Sequence, residues 1–207
     1  MAAAAYDYLF LTIARVPAPH QALSERLAGV AGGEVVGQFA PQLGWAGNDA
    51  AVLMRWPDGT RGELTTLTAA PLVTAANTQR LTPTVRPGDT DRPAPGGIYV
   101  HRWFEVEAGA VDEFVALSGQ GWQDFEAKFD ARIFGLFRAE ASAEDRANTV
   151  TRLLLITRYG DHGVWEASRD PTTEAMQIFL RRQQLTRRSW AASTRLVGAS
   201  SPSGVLG

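Results

Sequence analysis

Val35-Val36-Gly37-Gln38-Phe39, in the first half of the chain, is answered by Ile133-Phe134-Gly135-Leu136-Phe137 in the second. Working outward, the apolar run 50–54, closed by Arg55-Trp56-Pro57-Asp58, returns as 153–157 closed by Arg158-Tyr159-Gly160-Asp161. Upstream, residues 9–16 followed by Pro17-Ala18-Pro19 stand against 99–106 followed by Glu107-Ala108-Gly109. A period near half of a 207-residue chain means one supersecondary unit built twice.

Each unit has the same grammar. In the second, 98–106 is rich in β-branched and aromatic residues and predicts a strand. Val111, Phe114, Val115, Ser118, Trp122, Phe125 and Phe129 then recur at spacings of three and four, one stripe of an amphipathic helix. Asp112, Glu113, Asp124 and Glu126 fall off the stripe, on the water side, and Gly119 and Gly121 predict a kink. Strands follow over 131–139 and 149–159, then a helix over 171–189 with proline near its start and a short strand over 194–197. The order β-α-β-β-α-β is the ferredoxin-like unit. The first unit reads as strand 6–16, helix 19–30, strands 34–40 and 50–56, a weaker strand 63–68 and a helix 70–81.

The expected organisation is a first repeat over 1–81, a Pro/Gly linker over 82–97, a second repeat over 98–197 and a flexible tail over 198–207. Strands with one wet face alternate apolar and polar residues. Ala50-Ala51-Val52-Leu53-Met54, Ile133-Phe134-Gly135-Leu136-Phe137 and Leu153-Leu154-Leu155-Ile156 do not alternate, so both faces are covered. Helices cover one face of a ferredoxin-like sheet, which leaves the sheet of the other repeat for the second. The expected fold is therefore α+β: two ferredoxin-like repeats packed sheet to sheet as a barrel-like pseudo-dimer within one chain.

Composition narrows the function. Hydrophobic residues make up 45% and charged residues 20%, an ordinary globular balance. A net charge of −2 gives no electrostatic case for nucleic acid or an anionic membrane. There is no cysteine, which excludes disulfides, thiolate metal sites and cysteine nucleophiles, and fits a reducing, cytoplasmic setting. No stretch approaches the roughly 20 apolar residues of a spanning helix, and the alanine run 2–5, interrupted by Asp7, makes a poor signal peptide. No phosphate loop, dinucleotide fingerprint or Gly-x-Ser-x-Gly elbow occurs, and no motif indicates a cofactor. Three histidines without an acidic cluster predict no metal site.

An apolar strand ending in Arg158-Tyr159-x-Asp161, preceded by a strand carrying Arg102 and Phe104 and by Gly109 and Gly135, resembles the NIPSNAP family. In the first repeat the matching positions are Gly37, Arg55, Trp56 and Asp58. Val100 departs from the family's usual acidic residue, and Thr12 stands where the second repeat has Arg102. The resemblance implies the dimeric α+β barrel superfamily. That superfamily includes cofactor-free monooxygenases, isomerases and haem-handling enzymes.

Alternation along 98–106 puts Tyr99, His101, Trp103 and Glu105 on the face opposite Arg102 and Phe104. Set against Leu9, Leu11, Ile13 and Arg15 of the first repeat, these four have diverged from apolar to functional chemistry. The expected site is a pocket of the second repeat taking a small apolar or aromatic molecule. Tyr99, Trp103, Arg102, Trp122, Tyr159 and His162 are its candidate ligand-binding residues. In the enzyme alternative, a cofactor-independent oxygenase or isomerase, His101 is the general base and Glu105 tunes it. Against this, His101 and Glu105 could be solvated at a barrel rim, or Glu105 paired with Arg15 or Arg102. A third alternative is a fully packed barrel serving as a protein–protein interaction module. Arg181-Arg182 and Arg187-Arg188 read as cations offsetting a helix C-terminus rather than as a nucleic-acid patch. The assembly expected is a monomeric pseudo-dimer or a homodimer.

Overall fold

The computed structural model describes residues 4–28, 30–64 and 71–198. The chain divides into two compact units, Met1–Leu81 with Thr194–Gly207, and Thr82–Ser193. The first contains β1 (Ala5–Ile13), α1 (Pro19–Leu27), β2 (Glu34–Leu43), β3 (Asp49–Trp56) and most of β4 (Val73–Pro83). These strands are antiparallel in the order β4-β1-β3-β2. Leu23 and Leu27 of α1 close a core over Leu9, Leu11, Ile13, Val52 and Met54. Residues 194–198 also belong to this unit, with Leu196 near Gly37 and Gly198 near Gln38.

The second unit contains β5 (Ile98–Glu107), α2 (Val111–Lys128), β6 (Ala131–Ala139), α3 (Ala143–Ala147), β7 (Val150–Tyr159), α4 (His162–Ala167), α5 (Glu174–Gln183) and the first part of β8 (Thr186–Gly198). β7 pairs with β5 and β6, and β8 lies beside β5. The order β8-β5-β7-β6, like β4-β1-β3-β2, runs last, first, third, second, as a ferredoxin-like unit requires. The α2 stripe forms as its spacing predicts: Val111, Phe114, Ser118, Trp122 and Phe125 are buried. Burying each large apolar side chain is worth about 1.5–3 kcal/mol. No described helix is long and apolar enough to cross a membrane.

Both sheets carry the same irregularity. The β2–β3 ladder shifts register between Val35 and Gly37, and the β6–β7 ladder between Ile133 and Gly135. A Cβ on Gly37 would lie 2.6 Å from the Phe39 ring, and one on Gly135 2.9 Å from Phe137. The quoted motif is therefore a bulge whose glycine makes room for the phenylalanine two residues on.

Several expectations need correction. Residues 73–83 form β4, not a helix: the alanine-rich run is overridden by pairing to β1 and by its β-branched Val73, Thr74 and Thr78. The strand expected over 63–68 lies mostly outside the described residues, and Glu63 and Leu64 adopt no regular structure. The tail beyond Gly198 also lies outside them. The helix expected over 171–189 is α5 alone, because β8 begins at Thr186 and is far longer than 194–197. α2 runs through Gly119 and Gly121 as one continuous helix. A Cβ at Gly121 would meet the Phe179 ring at 2.5 Å, so this glycine admits α5. Glu126 is not on the water side. Its buried carboxylate accepts from Arg86 Nη1 at 2.7 Å and from the Ile133 N–H at 2.8 Å.

The comparison of the two β-strand faces also changes. Arg55 faces Tyr6 in the β1–β3 ladder, and Arg158 faces Tyr99 in the β5–β7 ladder. Matched on those arginines, Tyr99, His101, Trp103 and Glu105 correspond to Tyr6, Tyr8, Phe10 and Thr12, three residues away from the sequence-based match. An odd offset exchanges the two faces of a strand. The aromatic character of the Tyr99 face is thus common to both units. The counterpart of Arg102 is neither Thr12 nor a polar residue but the fully buried Leu9.

Candidate functional site

Alternation on β5 turns Arg102 and Phe104 toward the helix-covered face of the second sheet. The ladder sets Leu155 opposite Arg102 and Tyr159 opposite Ile98, so both share that face; Thr157 pairs with Val100 and Ile133. Between these strands and the helices lies a cavity of about 300 Å³. Trp122 and Phe125 come from α2, Trp165 from α4, and Met176, Phe179 and Arg182 from α5. Ser168 and Arg169 follow α4, while Gln183, Thr186 and Ser189 stand where α5 gives way to β8. The aromatic walls are braced against one another. Phe125 meets Tyr159 and Phe179 edge-on, with centroids 6.0 and 5.7 Å apart.

The charge in this cavity has one sign. Its lining holds Arg102, Arg169 and Arg182 and no aspartate or glutamate. Arg182 is buried; its Nη1 donates to Ser118 Oγ at 3.1 Å. Its guanidinium also lies 5.0, 5.0 and 4.5 Å from the ring centroids of Phe104, Phe114 and Phe179. Such cation–π contacts are worth about 0.5–2 kcal/mol each. Burial and the nearby Arg102 push the Arg182 guanidinium down to about 9, with Tyr159 opposing, so it stays cationic at neutral pH. Burial also lowers Arg102, opposed by Tyr159 and reinforced by Arg169. The Tyr159 phenol is raised by burial, which Arg102 and a hydrogen bond with Ser168 partly offset. Arg169 stacks over Trp165 at 5.1 Å. Among the described residues none of the three arginines forms an ion pair, and the buried Trp122 Nε1 has no hydrogen-bond partner.

Of the candidate site residues read from sequence, the cavity gathers Arg102, Trp122 and Tyr159. The others lie elsewhere. Tyr99 donates its hydroxyl to Ala94 O at 2.5 Å, and burial raises its phenol, partly offset by Arg158. His101 is fully buried on the opposite face of β5, and burial lowers its imidazole to about 3. Trp103 stacks on Trp190 at 6.4 Å. Glu105 is half-buried and lies near Arg187, which is held bidentately by Glu107. His162 opens α4, with Nε2 2.9 Å from Ser193 Oγ. The turn before it is built by Asp161, whose carboxylate caps α4 at the Val164 N–H, 2.8 Å away.

Sequence reasoning passed over Arg182, which is not a solvated cation at a helix end. Ala175, Ile178 and Arg182 form the buried stripe of α5 at spacings of three and four, so an arginine stands where the pattern calls for an apolar residue. That mismatch was the available signal. Among the described residues, no group of three or more acidic, histidine or cysteine side chains could hold a metal ion. The cavity lining includes no histidine, so it offers haem iron no imidazole.

No family model matches the chain, and no curated protein matches its sequence. Solved structures do. An anthrone oxidase-like protein superposes with TM-score 0.63 at 14% identity, covering 96% of this chain and 93% of its own. A candidate monooxygenase from Lactobacillus acidophilus NCFM gives 0.58 at 12%, covering 96% and 99%. A candidate chlorite dismutase gives 0.52 at 8%, covering 95% and 96%. At such identities the likeness is one of fold, and it establishes that fold: the chain is an α+β protein of the ferredoxin-fold, dimeric α+β barrel class.

Proposed function

We propose that the second unit is a NIPSNAP-like binding module that takes a small aromatic molecule into the cavity between its sheet and the helices α2 and α5. The observation that carries this reading is the cavity itself, about 300 Å³ walled by Phe104, Trp122, Phe125, Tyr159, Trp165 and Phe179. That volume is at the small end of the roughly 300–1,000 Å³ typical of ligand sites. Arg102, Phe104 and Tyr159, three of the positions that carry the family likeness, line it. The shared bulge at Gly37 and Gly135 supports reading the chain as a tandem repeat, with Leu9 filling in the first unit the place that Arg102 takes in the second.

An oxygenase or isomerase would need a base at the ligand. The ionisable residues lining the cavity are three arginines and Tyr159, whose phenol is raised rather than lowered. His101 faces the other side of the sheet, so binding is the reading the geometry favours. The test fills the cavity from its floor. Thr157→Phe should leave the fold intact by circular dichroism while abolishing the thermal shift and calorimetric heat that a panel of bicyclic aromatics gives with the native protein. Equal binding to both proteins would place the ligand elsewhere.

A further inference from the structure

The unpaired arginines say more about the occupant. We propose that the ligand is an aromatic acid whose planar carboxylate is held by Arg182 and Arg102 at the inner wall, with Arg169 toward the mouth. This rests on the binding role given to the cavity above and names the class of molecule it takes.

Three observations carry the assignment. First, a buried guanidinium is held either by a carboxylate or at a desolvation penalty of several kcal/mol. Arg182 is buried with one neutral hydroxyl, three ring faces and no carboxylate partner among the described residues. Elsewhere in the same unit the rule is the reverse. A second cavity, lined by Arg86, Arg132 and Arg158, has each of these on a carboxylate: Arg86 and Arg132 on Glu126 at 2.7 and 3.3 Å, and Arg158 on Asp130 at 2.6 Å.

Second, the positive charges are concentrated rather than dispersed. Three guanidinium groups line one cavity with no acidic side chain among them. Arg102 is close enough to Arg182 to disfavour its charge, and Arg169 acts on Arg102 in the same sense. An anion between them converts that repulsion into attraction, and low-dielectric aromatic walls strengthen it. A planar carboxylate matches the fork of a guanidinium, with two parallel N–H···O bonds. Third, Trp122 lines the wall beside Phe125, and its buried Nε1 has no hydrogen-bond partner.

The first unit shows what the position looks like without such a ligand. Leu9 occupies the place of Arg102, and it packs with Leu11, Val52 and Leu23 at zero exposure. An arginine in the second unit therefore serves something other than packing.

The experiment compares 1-naphthoate with 1-naphthamide, which differ in charge and little in shape, by titration calorimetry on the full chain at neutral pH. Naphthoate should bind at least about tenfold more tightly, as expected for a hydrogen bond to a charged group. In Arg182→Met, and separately in Arg102→Leu, the ratio of the two affinities should collapse toward one. Arg182→Met should also raise Tm in the absence of ligand, because a buried, unpaired charge has been replaced by an apolar chain of similar length. Arg102→Leu reproduces the first unit's own residue and guards against a folding failure in the other variant. Equal affinity for the acid and the amide, or a ratio unmoved in both variants, overturns the carboxylate assignment and leaves the aromatic pocket standing. Binding of neither probe removes the pocket and this proposal together.

Discussion

His101 has no exposed surface, and burial lowers its imidazole from 6.5 to about 3. The folded protein therefore refuses a proton that the unfolded chain accepts once pH falls below about 6.5. Between those two values stability declines as pH falls, with a slope approaching about 1.4 kcal/mol per pH unit from this one side chain. His101→Phe, chosen to match the aromatic Tyr8 and Phe10 that share the corresponding face of β1, should remove that slope. In urea melts at pH 6.5 and 4.5, the native protein should lose roughly 2–3 kcal/mol more than the variant. Parallel losses would mean that the acid sensitivity comes from other groups, His20 among them, whose imidazole burial and Arg195 also lower. The same residue illustrates the limit of reading chemistry from side-chain type. Histidine on a strand inside a core suggested a base, but no sequence pattern says which face of the sheet the empty space adjoins.

At the scale of elements, the apolar strands and the α2 stripe were legible because their periodicities are imposed by burial. Gly37 and Gly135 were legible as a pair because each sits at a bulge whose geometry excludes a Cβ. Register was not legible. A gapless comparison of 9–16 with 99–106 is offset by three from the ladders, since the arginine pairings that fix it lie on the neighbouring strands. Helix contacts were equally hidden: Gly121 read as a weak point in α2 and is the place where Phe179 enters. Gly121→Ala should accordingly destabilise the protein by about 1–3 kcal/mol, although alanine is the better helix former. Adding Phe179→Leu should recover part of the loss, and a double-mutant cycle on Tm reads the coupling directly. Strict additivity would mean that the two residues do not meet.

For the whole molecule, the fold class followed from the non-alternating strands. Asp49–Trp56 is buried at every position and Ile133–Phe137 likewise, so neither strand has a wet face. What composition could not reveal is that β8 is divided between the two units, with 194–198 grouped with Met1–Leu81. Ending the chain after Ser193 should therefore weaken the first unit more than the second. Hydrogen exchange read by mass spectrometry should show lost protection in β2 and α1, where Gln38, Ser24 and His20 are linked by hydrogen bonds of 2.7–3.0 Å, ahead of any change in α2. Uniform loss across both units would show that they unfold as one.

That divided strand has a consequence for synthesis. The ribosome makes residues 1–81 before the second unit, yet the segment that completes their unit emerges only after it, more than a hundred residues later. The second unit has all its strands as soon as Ser193 is out. Order of birth and order of completion are reversed, and the newborn first half must wait with an unfinished sheet edge, the state in which chaperones are most needed.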